Sequence, residues 1–365
     1  MSYICTAQIP TKSKIMIWLS GWVDSAVWAY LLIKQWYEVI AWFMKNYTDP
    51  SNPSCQTRQD RDSALQVAEY LGIRTFVIFD FRQQYHQSII DYIINSYQSG
   101  LTPNPDILCN SQIKFKLFLD HALRLGCDYI ATGHYAKIIR SNDESDWLLC
   151  KLYRATDHHK DQTYFLSWLD QYQLSHSLFP LWGLSKVHVR KIAKEIGLPN
   201  AERPDSQWLC FVGNVPMRKF LRKYLPDQPG NIVNIDGEVI GQHCWIHHYT
   251  IGQRHGLGLN IQSYVIAIDH VHNEIVVWSY DSSERLCDGC VLDIPHWIGK
   301  QYDLPLVCHA KIRYRQDPIL VYIIQSETKL ICRFNISQTG VAPGQTLVCY
   351  NDEECIMSAT ILHTL

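Results

Sequence analysis

Glycine is scarce in this chain, at 18 of 365 residues, against an ordinary usage of about 7%. Long hydrophobic runs are missing as well. No stretch approaches the roughly 18 uninterrupted apolar residues of a membrane span, and the opening MSYICTAQIPTKSK has no apolar signal-peptide core. A cytoplasmic protein without a membrane partner is expected. Nor does one sign of charge dominate: 33 Lys and Arg against 35 Asp and Glu leave a formal −2. That excludes a global field for polyanions and confines any RNA contact to local patches. Three such patches are Ser185–Lys194, Met217–Leu225 and Ala310–Gln316. The 13 cysteines are an odd number in a long chain, which argues against a disulfide framework and for reduced thiols. Cys287 and Cys290 form a CxxC with no second pair or spaced histidines to complete a zinc site, so no metal ligands are expected in the protein.

What is present is core-forming material, 47% hydrophobic and 19% charged, enough for two or three domains. In the first half, KIMIWL, EVIAWF, RTFVIF and CDYIAT alternate with helix-period segments that begin near Ser25 and Thr57. This alternation predicts an α/β domain, a parallel sheet with crossover helices. After Pro226 the texture turns to short strands with turn signals, which predicts two small β-rich modules. The expected division is 1–210, 211–280 and 281–365.

Directly after the first predicted strand, SGWVDS (Ser20–Ser25) opens a helix. A strand, a small-residue turn and a helix N-terminus make an anion site, because free N–H groups and the positive dipole end converge there. The residues fit neither a Walker A loop nor a dinucleotide G-x-G-x-x-G. Further on, TPNPDILCN sets two prolines ahead of Cys109, with Asn110 or Ser111 as the expected N-cap of the next helix. That arrangement places Cys109 beside a helix N-terminus, where a thiolate is stabilised. A second cysteine, Cys210, follows in ERPDSQWLCFVG.

The Ser20–Ser25 loop resembles the SGGxDS loop of PP-loop ATP pyrophosphatases, with Trp22 in place of the second glycine. The ordered series TPNPDILCN, IKFK, DYIATGHYA, KDQTYFL, LFPL, VRKIAKEIGL, CFVG, QPGNIV, DGEVIG, YTIGQRHGLGL, IRYRQ and PGQ is similar to the tRNA 2-thiouridylase family over nearly the full length. The resemblance implies a Rossmann-like PP-loop catalytic domain, a central β module and a C-terminal β-barrel-like module that holds tRNA. It implies ATP and Mg²⁺ as cofactors, U34 of tRNA as target, adenylation of O2, and sulfur from a persulfide donor such as a cysteine desulfurase or relay protein. By position, Trp18, Leu19, Ser20, Gly21, Trp22, Val23, Asp24, Ser25, Met44 and Gly133 would contact ATP. Asn104, Pro105 and Asp106 would meet the target base, with Asp106 as acid or base. His134, Lys160, Asp161, Gln162, Arg313, Tyr314 and Gln345 would touch tRNA. Cys109 would be the nucleophile and Cys210 the persulfide carrier.

By the same pattern Trp18, Trp22, Trp36, Trp182, Trp208, Trp245 and Trp278 stand where glycine is usual. Restoring seven glycines to the 18 gives 25, ordinary usage for 365 residues. These positions are expected to be UGA codons, glycine in the source organism. Trp297 stands where the family uses tryptophan and is expected to be UGG. A genuine Trp22 is expected to crowd the phosphate loop and to deny it the positive φ that glycine supplies. It would favour a catalytically inactive tRNA-binding homologue. A different PP-loop enzyme, such as a 4-thiouridine synthase, is disfavoured by TPNPD together with both cysteines.

Overall fold

Ile15, Met16 and Ile17 are fully enclosed on both faces of strand β1 (Lys14–Trp18), the burial of a central strand in a parallel sheet covered by helices. The computed structural model describes residues 9–10, 12–47, 56–142, 148–204, 217–260, 262–279, 286–326 and 329–365. Cys210 and Trp208 fall outside them. The chain divides into one unit of residues 1–89, 106–214 and 353–356 and a second of 90–105, 215–352 and 357–365.

In the first unit the sheet runs β3 (Phe76–Asp80), β2 (Glu38–Lys45), β1, β4 (Tyr129–Ala131) and a short strand Ser177–Leu178, all parallel. This is doubly wound order, and its switch point lies between β1 and β4. Helix α1 (Val23–Lys34) buries Ala26, Val27 and Leu31 in one cluster with Val189 and Ala193 of the helix Lys186–Glu195. Alternation along β2 sends Trp42 to the other face, where its ring lies 3.9 Å from Phe118 and 5.2 Å from Phe79.

At the end of α1, Trp36 N–H donates to Ile33 O at 3.0 Å and Tyr37 N–H to Leu32 O at 3.5 Å, the paired bonds of a Schellman cap. The cap puts Trp36 at φ 64, with 89% of its surface exposed. That conformation is glycine's by sterics, and a side chain there costs about 1–2 kcal/mol.

The segment carrying Cys109 corrects one expectation. Helix begins at Pro105, a residue suited to the first helical position. It runs through Leu108, a π-helical stretch Cys109–Leu117 and Phe118–Arg124. Asn110 and Ser111 are therefore not N-caps: Asn110 Nδ2 donates to Phe165 O at 2.9 Å and Ser111 Oγ to Leu108 O at 3.3 Å. Cys109 is buried past the first turn rather than placed beside the N-terminus.

In the second unit, strands 230–233, 239–243, 263–269 and 274–279 form a four-stranded sheet over Ile232, Val265, Ile275 and Val277. The strands from Cys287 onward run Cys287–Leu292, Lys329–Gln338, Ile319–Ser326, Leu306–Lys311, Thr346–Asn351 and Glu354–Thr364 in spatial order. The last also pairs with the first, Cys290 against Thr364. The ring is closed, so these six strands leave no open edge to one another. Among the described residues no helix is long and apolar enough to cross a membrane.

Candidate functional site

The loop leaving β1 and the loop leaving β4 meet at the switch point, where doubly wound sheets bind ligands. A Cβ on Gly133 would lie 3.2 Å from Trp28 Nε1 and 3.5 Å from Asp24 Cβ, so the second loop approaches closely enough that a side chain here would press on the Trp28 ring. Asp24, in the first turn of α1, accepts from Tyr135 Oη at 3.1 Å and from Lys186 Nζ at 2.5 Å.

Gly21 is the residue at positive φ, +81. Its carbonyl oxygen accepts from Ser63 Oγ at 2.9 Å, Asn200 Nδ2 at 2.9 Å and Arg203 Nη1 at 3.0 Å, and Arg203 in turn is paired with Asp60. In a trans peptide the N–H points opposite the C=O. Holding the Gly21 oxygen from three sides therefore aims the Trp22 N–H the other way, alongside the first N–H groups of α1, which have no intrahelical acceptor. Ser25 Oγ closes the turn by donating to Trp22 O at 2.8 Å while Ser20 Oγ lies 3.1 Å away.

Trp22 itself sits at φ −91, ψ 158, an extended conformation open to any residue. The expectation that a side chain at this position forfeits a needed positive φ is corrected: Gly21 carries that role. The Trp22 ring is half-buried beneath the Arg203 guanidinium, 3.9 Å from its centroid. Leu19 and Val23 are buried at the two ends of the loop, and Met44 is buried on β2. Lys114 reaches the end of β1, its Nζ 5.0 Å from the Trp18 ring.

In the second unit, Gln345 Nε2 donates to Thr102 O at 3.0 Å and Pro103 O at 3.1 Å, while Asn104 N–H donates to Tyr92 Oη at 3.3 Å. These bonds fix the backbone leading into Asn104 and Pro105. Burial raises the Asp106 carboxyl above its usual range, with the Lys114 cation opposing. His134 is enclosed, its Nδ1 2.7 Å from Thr132 Oγ1, and burial first, then Lys114, holds its pKa well below the ordinary value.

The other tRNA-contact candidates differ in what they have left to offer. Asp161 is 2% exposed; its carboxylate accepts from Ala155 N–H, Thr163 N–H and Thr163 Oγ1 and faces Arg154. Gln162 Oε1 accepts from Tyr135 N–H at 3.0 Å. Arg313 donates to Gly340 O at 3.0 Å and Ile251 O at 2.6 Å. Lys160 and Tyr314 keep part of their surface in solvent.

Residues 13–214 match the family described as tRNA methyl transferase HUP domain, 218–279 its PRC-barrel domain, and 287–361 an aminomethyltransferase beta-barrel domain. The chain is 41% identical over 360 residues to the tRNA-specific 2-thiouridylase MnmA of Lysinibacillus sphaericus (strain C3-41), covering 96% of this chain and 95% of that protein. It is 40% identical over 359 residues to the MnmA of Geobacillus thermodenitrificans (strain NG80-2), again 96% and 95%. The chain belongs to the tRNA-specific 2-thiouridylase family. Among solved structures it is similar to the U34-tRNA thiolase NcsA from Methanococcus maripaludis, at 18% identity and TM-score 0.38, over 60% of this chain and 70% of that one. That likeness is too distant to bear on the site.

Membership in the 2-thiouridylase family, with its PP-loop, implies use of ATP. The sequence did not reveal Ser63, Tyr135, Asn200, Arg203 and Lys186 as hydrogen-bond partners of Gly21 and Asp24. Of these, Lys186 lay within a basic patch and Arg203 within ERPD, but neither pattern points at residues 20–25.

Proposed function

We propose that the chain 2-thiolates the wobble uridine, U34, of tRNA, with ATP as the activating co-substrate, in the cytoplasm. The observation that supports it most is the joining of the Ser20–Ser25 and Thr132–Tyr135 loops at one switch point, with the Gly21 carbonyl held away from the free N–H groups. Uracil O2 is a poor leaving group. Its attack on the α-phosphorus forms an O2–P bond, breaks the bond to pyrophosphate and leaves O2 as part of AMP. Mg²⁺, when bound, would neutralise phosphate charge, and Asp24 would supply the carboxylate oxygen such a hard cation prefers.

The terminal sulfur of a Cys210 persulfide then attacks C2 and AMP departs with O2. Cys109 attacks the inner Cys210 sulfur, cleaving the S–S bond; 2-thiouridine is released and a Cys109–Cys210 disulfide remains for a dithiol to reduce. The base must leave its stack to be reached, and the backbone anchored by Gln345 gives Asn104 and Pro105 a fixed frame for it; Asp106 would act as acid or base. Lys160, Gln162 and Tyr314 would contact tRNA, and a persulfide-carrying protein would load Cys210. The division 1–210, 211–280 and 281–365 assigns catalysis to the first segment and tRNA holding to the last.

One observation favours a second reading, a tRNA-binding homologue without catalysis: a tryptophan occupies position 22 of the loop, its ring stacked under the Arg203 guanidinium. Nucleoside mass spectrometry of tRNA incubated with the protein, ATP, Mg²⁺ and a persulfide donor decides. Appearance of 2-thiouridine supports the thiolase; its absence with a folded protein that still binds tRNA supports the homologue.

A further inference from the structure

The loop offered to the target base leaves the helix Asp91–Gln98 through a cap that is itself covered. Leu101 N–H donates to Ser96 O at 2.9 Å and Gly100 N–H to Tyr97 O at 3.1 Å, the paired bonds of a Schellman motif, with Gly100 at φ 74. Two histidines from the β-rich part of the same unit close over this cap. A Cβ on Gly100 would fall 2.5 Å from His270 Cδ2 and 2.6 Å from His270 Nε2, so the imidazole lies directly against the glycine. The His247 ring hydrogen-bonds the Tyr97 backbone carbonyl, the oxygen that also accepts from Gly100, and stacks on His270 with centroids 5.7 Å apart and planes inclined at 29°. His270 is presented from the turn between the strands Ser263–Asp269 and Glu274–Ser279. There Asp269 Oδ1 accepts from the Val271 and His272 N–H groups at 2.9 and 3.0 Å, so the ring is carried on a braced turn.

We propose that His247 and His270 are positioning residues for the target-base loop: clasped over the cap at Tyr97 and Gly100, they set the direction in which residues 101–105 leave the helix. This rests on the thiolation reading above. Pro103 and Pro105 fix φ at two positions and restrict Thr102 and Asn104 before them. The segment is therefore stiff, and a small rotation at the cap is carried to Asn104 as a displacement. Further along it is held by the turn 343–345, where Thr102 N–H donates to Pro343 O at 2.9 Å and Gln345 reaches the Thr102 and Pro103 carbonyls. A stiff segment gripped at one point can pivot, and one gripped at two cannot. The histidines supply the second grip, and they act on the base only through the loop.

The test uses the full chain, with tryptophan and with glycine at positions 22 and 245, because the Trp245 ring lies 5.3 Å from the His247 ring. His270→Ala, His247→Ala, His247→Gln and, from the same turn as His270, Val271→Ala are compared by hydrogen exchange of the peptide holding residues 99–104 and by kcat and KM for tRNA in 2-thiouridine formation. Both alanine variants of the histidines are expected to speed exchange at the Gly100, Leu101 and Thr102 amides and to lower kcat about ten- to hundred-fold, the scale of an ångström-sized misplacement, with KM for tRNA unchanged. His247→Gln keeps a side-chain N–H donor and should recover most of kcat. Val271→Ala leaves both rings in place and should match its parent. Parental exchange in the two histidine-to-alanine variants overturns the proposal, as does a rise in KM with kcat unchanged, an equal effect of Val271→Ala, or failure of His247→Gln to recover activity. Absence of 2-thiouridine from every parent overturns instead the thiolation reading on which the proposal stands, and the exchange result then decides the clasp.

Discussion

Asn200 Nδ2 donates to the Gly21 carbonyl oxygen at 2.9 Å, across 179 positions of sequence. Two other donors share that oxygen, so removing the amide weakens the clamp without orphaning the acceptor. The expected cost of Asn200→Ala is about 1 kcal/mol, a drop of about 2–4 °C in Tm for a unit of this size. ATP affinity should fall several-fold while tRNA affinity is unchanged. Calorimetry and filter binding on the same preparation test this; an equal loss of both ligands would make Asn200 a purely structural residue.

Cys109→Ser and Cys210→Ser should each abolish 2-thiouridine formation, one by removing the resolving thiol and the other the sulfur carrier, with ATP binding retained. Peptide mapping of alkylated protein after one turnover should show a Cys109–Cys210 disulfide. Free thiols at both positions would count against the assigned roles.

Lys160→Ala should weaken tRNA binding and lower the salt slope of log K by about 1, the signature of one lost phosphate contact. Arg313 was expected from the family pattern to behave alike. Its guanidinium instead carries two bonds to backbone carbonyls within its own unit. Arg313→Ala should therefore lower stability by about 1.5–3 kcal/mol, read by urea unfolding, whatever it does to tRNA. A variant with unchanged stability and a reduced salt slope would return Arg313 to the tRNA face.

His134 is buried with a folded-state pKa well below the ordinary 6.5. Below pH 6.5 the unfolded chain takes up a proton that the folded chain refuses, so His134 contributes a loss of stability that grows as pH falls from 6.5 toward the folded value. His134→Gln removes that contribution. The stability difference between pH 7.5 and 5, from urea unfolding, should be smaller in the variant than in the parent; an unchanged difference would mean that His134 is protonated when folded.

The tryptophans at glycine positions yield the last prediction. Trp36 occupies a left-handed cap with its ring in solvent, so Trp36→Gly should stabilise the protein by about 1 kcal/mol, net of the entropy glycine adds to the unfolded chain. Reading the gene should find UGA at Trp36, Trp22 and Trp208 and UGG at Trp297, and Trp22→Gly should bind ATP more tightly than the chain that carries tryptophan there. UGG at Trp22 and Trp208 would remove the recoding explanation and strengthen the inactive-homologue reading.

Local order alone determined a good part of this protein. Strands at KIMIW, EVIAWF and FVIF, the helix opening within SGWVDS, and the β-rich segment after Pro226 all follow from apolar periodicity and turn residues, because those signals act over a few neighbouring positions. Tertiary structure alone decided that the Gly21 carbonyl is held by Ser63, Asn200 and Arg203, that Lys186 faces Asp24, that Gln345 anchors Thr102 and Pro103, and that the C-terminal strands close into a ring. It also placed Cys109 inside a continuous helix that Asn110 and Ser111 do not cap. Each of these depends on which distant segments pack together. A lysine 162 positions from its carboxylate leaves no mark on the periodicity of either segment; the pairing exists only once the sheet order has brought α1 and the helix from Lys186 side by side.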